Sequence, residues 1–162
     1  MRRIHQSMLR RSVVALLAVF GLAVSEVASA ACTGTNTCYG TNALASNTTG
    51  AGNSAFGNYA LYSNTVSGNS AFGYAALQRT TTGGSNSGFG QQALYSNTTG
   101  FNSTATGFQS LYSSSIGHNN TASGARALYL NTTGYYNTAS GSVALYSNTT
   151  GNYNTASGSL AL

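Results

Sequence analysis

From residue 37 onward one rhythm dominates the chain. Leucine returns at Leu44, Leu61, Leu77, Leu94, Leu111, Leu128, Leu145 and Leu162, with successive gaps of 17, 16, 17, 17, 17, 17 and 17 residues. Small and polar residues keep the same beat. Four positions before each leucine stands Gly40, Gly57, Gly73, Gly90, Gly107, Gly124, Gly141 or Gly158. A glycine at that place in every repeat predicts a backbone bend that a Cβ would obstruct. Six before is Cys38, Ala55, Ala71, Gly88, Ala105, Ala122, Ala139 or Ala156, a column of small residues expected to face a tight interior. Seven before is always Ser or Thr. Self-similarity at so short a period is read as one coil of a stacked array, because a single repeat cannot bury its own apolar side.

Within a coil, residues 96–100 (Ser-Asn-Thr-Thr-Gly) are turn chemistry: Asn tolerates the left-handed region, Thr caps locally and Gly permits positive φ. The column Asn47, Asn64, Asn97, Asn131 and Asn148 is expected to add an amide ladder from coil to coil. Strands of about four residues, interrupted by turns twice per coil, predict a two-sided roll with a rise near 4.8 Å. Helical repeats are disfavoured by Gly, Asn and Thr in every coil, and the absence of Pro suits an unbroken backbone ladder. The expected fold is therefore all-β, a parallel β-roll or β-solenoid of about seven 17-residue coils, forming one domain over residues 31–162. Ala and Leu bury little area per coil, so self-association through outward apolar columns is expected.

The first thirty residues do not share this pattern. Arg2, Arg3, Arg10 and Arg11 precede an apolar stretch from Ser12 to Val24, and Ala28-Ser29-Ala30 closes it. That order predicts an export signal peptide over residues 1–30. The apolar stretch is short of the roughly 20 residues that span a bilayer. Separating it changes the charge picture. The formal net charge is +5, but after Ala30 only Arg79 and Arg126 are fully ionised, with His118 as the one further basic group. Counterion release onto nucleic acid has nothing to act with, so no nucleic-acid partner is expected. Asp, Glu and Lys are absent from the same region. General acid–base chemistry, hard-cation sites and triad orientation all draw on carboxylates. The chain is thus expected not to be an enzyme, to need no cofactor and to hold no metal, with His118 a surface loop residue.

The string carried by residues 120–162, Asn-Thr-Ala-Ser-Gly-x-x-Ala-Leu-Tyr-x-Asn-Thr-Thr-Gly, resembles the head repeats of trimeric autotransporter adhesins. It is similar also to repeats of bacterial surface and phage-tail-like fibres. The resemblance covers residues 36–162. It implies a left-handed parallel β-roll, side-by-side association of three chains, and attachment to a host-cell, matrix or glycan receptor, at a bacterial surface, outer membrane or in secreted form. Where that family carries Ile or Val before the glycine, this chain has Tyr39, Phe56, Phe72 and Phe89, then Thr106, Ser123, Ser140 and Ser157. The aromatic four are candidate interface residues. Since the array stops inside a repeat at Leu162, with no stalk or barrel anchor after it, the expectation is either a truncated reading frame or a head that is released or held by other means.

Several features keep two readings. Cys32 and Cys38 are a disulfide candidate in an exported chain, and lipidation of Cys32 is the alternative. Tyr62, Tyr95, Tyr112, Tyr129 and Tyr146 follow their leucines and point away from them. They form either a binding stripe for sugars or a receptor, or a self-stacked or interface ladder. The pairs Thr104/Thr106, Thr121/Ser123, Thr138/Ser140 and Thr155/Ser157 present regular hydroxyls, either a solvated face or an ice-binding one. Asn-x-Thr sequences such as residues 97–99 are glycosylation acceptors by pattern or products of the turn chemistry.

Overall fold

The computed structural model describes Cys32 and residues 34–162. The export signal expected over residues 1–30 lies outside the described residues. The rest is a β-solenoid. Eight short strands, β1 (Thr37–Tyr39), β2 (Ser54–Phe56), β3 (Ser70–Phe72), β4 (Ser87–Phe89), β5 (Thr104–Thr106), β6 (Thr121–Ser123), β7 (Thr138–Ser140) and β8 (Thr155–Ser157), form one sheet in chain order. Every neighbouring pair is parallel and in register, so Ala105 lies opposite Ala122 and Ala122 opposite Ala139. No described residue is helical.

The strands form because a small inward residue lies between two outward ones. In β5 to β8 the central alanine is buried and its neighbours are exposed. Behind them the core is a thin column of three side chains per coil, such as Ala122, Ala127 and Leu128. Each buried leucine contributes about 1.5–3 kcal/mol by transfer.

The expected second strand is not there. Each coil carries one strand of three residues, and the leucine side is a run of turns. The leucines themselves are left-handed, with φ between 50° and 54° from Leu44 to Leu145, and so is the residue two before each, from Asn42 to Val143. Turn bonds within the coil (Ala43 N–H to Gly40 O, 3.2 Å; Asn47 N–H to Leu44 O, 3.0 Å) alternate with bonds to the next coil (Leu44 N–H to Ala60 O and Ser46 N–H to Tyr62 O, both 3.0 Å). A circumference this short needs corners, and two straight walls do not fit in it. Between Tyr59 and Asn64, for example, two backbone N–H groups bond locally and three across coils, so the turning wall keeps most of its backbone groups paired.

The amide ladder also lies elsewhere than expected. It runs through the asparagine immediately before each strand: Asn53, Asn69, Asn86, Asn120 and Asn137, all 0–1% exposed. Each side-chain oxygen accepts the backbone N–H of its counterpart in the next coil, as in Asn86 N–H to Asn69 Oδ1 (2.8 Å) and Asn137 N–H to Asn120 Oδ1 (2.9 Å). Each Nδ2 donates to a carbonyl of the next coil, as from Asn120 to Gly134 (2.7 Å). Ser103 stands in this column and keeps only the first bond, through its Oγ to Asn120 N–H at 3.2 Å. The column Asn47 to Asn148 instead closes a turn inside its own coil (Asn131 Nδ2 to Gly134 O, 3.0 Å), with one side-chain link between coils, Asn148 to Asn131. Thr80 and Ser114 occupy the same place, and there Thr80 Oγ1, Asn97 Oδ1 and Ser114 Oγ are buried without a partner.

The single short repeat is explained by this turn. Asn64 Nδ2 donates to Val66 O (2.7 Å), two residues on, where Asn47 reaches Gly50, three residues on. The missing residue is thus absorbed at a corner, and β2 and β3 stay in register.

Candidate binding surfaces

The bends are where the glycines are. Gly107 has φ +125°, and a Cβ on it would lie 2.7 Å from the Gly124 carbonyl carbon in the next coil. The other glycines of that column, Gly40, Gly57, Gly73, Gly90, Gly124, Gly141 and Gly158, share the positive φ. Gly100, in the other turn, does not have the positive φ expected of it; it is glycine because a Cβ would run into the Gly117 carbonyl oxygen and Asn97 Oδ1.

Cys32 and Cys38 are joined as a disulfide, with Cα atoms 5.8 Å apart, tying the chain ahead of β1 onto that strand.

The outward side of the sheet divides lengthwise. On β2 to β4, Phe56, Phe72 and Phe89 stack at centroid distances of 4.9 and 5.2 Å, and Tyr39 extends the stripe on β1. These rings remain 36–66% exposed. On β5 to β8 the same two outward positions carry only Thr and Ser.

The tyrosine column stands on the turning wall and still points outward. Tyr95, Tyr112, Tyr129 and Tyr146 form an unbroken stack, each pair 5.1 Å apart and within 9° of parallel. Gln78 interrupts the column, so Tyr62 packs against Tyr59 instead. The Arg79 guanidinium lies 5.9 Å from the Tyr95 ring centre, and Arg126 lies 5.9 Å from that of Tyr129. Burial, with Tyr95 and Tyr129 on either side, holds the Tyr112 phenol above its ordinary range against an opposing pull from Arg79. Inner rings stacked this closely turn their faces to one another and their edges to solvent. A sugar or planar receptor group needs a face, so this geometry favours the self-stacked reading of the column.

A second stack was not singled out from the sequence. Phe101, His118 and Tyr135, again 17 apart, stack at 4.8 and 5.1 Å, so the loop residue His118 is also a half-buried member of an aromatic column. Tyr136 and Tyr153 stack beside them at 5.2 Å. The spacing was the available signal, but earlier coils place Ala51 and Gly84 in that column, which hides it.

The Asn-x-Thr sequences resolve toward turn chemistry at Asn97 and Asn131, which are fully buried with Nδ2 bonded to a carbonyl of their own coil. Among the described residues no group of three or more His, Cys, Asp or Glu is placed to hold a metal ion. A scan against protein-family models and searches of curated proteins and of solved structures return no match to the chain.

Proposed function

We propose that this chain is a non-catalytic head segment of an exported bacterial surface adhesin, presenting a repetitive, nearly uncharged surface for attachment to cells, matrix or glycan. The observation that carries this reading is the register of the solenoid: every outward column repeats once per coil, so a weak contact made by one coil is offered again by its neighbours. The exposed stripe of Tyr39, Phe56, Phe72 and Phe89 supports association of three left-handed copies along β1 to β4, leaving β5 to β8 outside the contact. The sequence resemblance to adhesin heads supports the same arrangement.

The second reading is a spacer or fibre segment without a ligand of its own. The closed stacking of the tyrosine column favours it, because those rings are already occupied by one another. Light scattering and a binding isotherm on immobilised cells and matrix separate the two. A particle of three times the monomer mass that binds saturably is the adhesin outcome. A folded particle with no saturable binding leaves the spacer.

A further inference from the structure

We infer that the sheet face of β5 to β8 binds the surface of ice. This stands apart from the attachment reading and uses a different half of the molecule. Its outward side chains are Thr104, Thr121, Thr138 and Thr155 in one row and Thr106, Ser123, Ser140 and Ser157 in the next, all exposed. The three coils joining these strands are each 17 residues long, so both rows run unbroken along the stack. Strand geometry sets the grid at about 4.8 Å between coils and roughly 6.8 Å along each strand.

Two observations point to an external occupant. One turn column of threonines uses its hydroxyls to join coils: Oγ1 of Thr65, Thr81, Thr98 and Thr132 donates to a carbonyl of the next coil at 2.9–3.1 Å. No hydrogen bond among the described residues uses a side-chain hydroxyl of β5 to β8, so the whole grid is free to bond outward. The face also carries no ionised side chain, since Arg79 and Arg126 both lie on the turning wall. A charged partner has nothing to pair with there, and the strands β5 to β8 carry no ring to stack on a sugar.

What remains is a ligand that is itself flat, periodic, uncharged and built of hydrogen-bonding oxygens. A crystal face of water has those properties. The buried alanines behind the strands and the backbone bonds between coils hold the hydroxyls in fixed positions, so little ordering entropy is lost on contact. All four residues of the first row carry a methyl beside the hydroxyl, whereas in the second row only Thr106 does.

The test is thermal hysteresis and ice-surface adsorption of the purified full chain, with circular dichroism melts in parallel. The folded protein is expected to shape ice crystals and depress freezing below melting. Replacing Thr121 and Thr138 together by Tyr should abolish the hysteresis with the melt unchanged, whereas Tyr112→Ser should leave it intact. The conservative pair Ser123→Thr and Ser140→Thr should increase it, which keeps the test decisive if the tyrosine variant does not fold. A folded chain without hysteresis overturns the inference. So does full activity in a folded Thr121→Tyr, Thr138→Tyr protein, or adsorption to microcrystalline cellulose with no effect on ice.

Discussion

At the scale of single residues, backbone conformation constrains this chain more than side-chain chemistry does. Gly107 illustrates the strict case: positive φ and the neighbouring coil both exclude a side chain. Gly107→Ala is expected to lose about 2–4 kcal/mol, seen as a lower urea midpoint with an unchanged slope. Val143 illustrates the opposite case, a β-branched residue held at φ 62° where the first coil has Asn42 at φ 60°. Val143→Asn is expected to gain about 1 kcal/mol by easing that strain, measured in the same titration. The glycine column was legible in the sequence because it never varies. The left-handed leucines were not, because leucine signals a core position and says nothing about the sign of φ.

Between residues and the whole lie the coil and its columns. The sequence contains two asparagine columns of similar regularity, and repetition alone does not tell which faces inward. The outcome depends on where the backbone turns, and the turn sits at the asparagine three residues before Gly134, leaving the one before the strand to bridge coils. Asn120→Ala removes two buried bonds and is expected to cost about 2–4 kcal/mol, while Ser103→Asn restores one and is expected to add about 1 kcal/mol. A melting series with both variants checks the pair. Because the folded Tyr112 phenol is held above its unfolded value, the folded state keeps a proton that the unfolded chain gives up. Its contribution is fully present below the unfolded tyrosine value near 10 and is lost as pH rises beyond it. Urea midpoints should therefore be level up to about pH 9 and fall above about pH 10. Tyr112→Phe should flatten that fall.

For the whole molecule, the array, its period and its inward alanine and leucine columns were readable from the sequence, as was the division of the outer face at β5. The aromatic stack around His118 and the single-walled cross-section were not, since both depend on how a 17-residue loop closes in space. Contacts between strands join only adjacent coils. The backbone bonds that cross from one coil to the next, such as Leu111 N–H to Ala127 O and Thr121 N–H to Asn137 O, run along the stack and lie in series. A tension applied between the two ends therefore falls on one interface at a time, beginning at an end. Pulled in an optical trap, the chain should lengthen in a staircase, each step releasing one coil and roughly 60 Å of contour. Such a filament yields by instalments and does not snap. Shortened by a few coils, it would keep its grip on the rest.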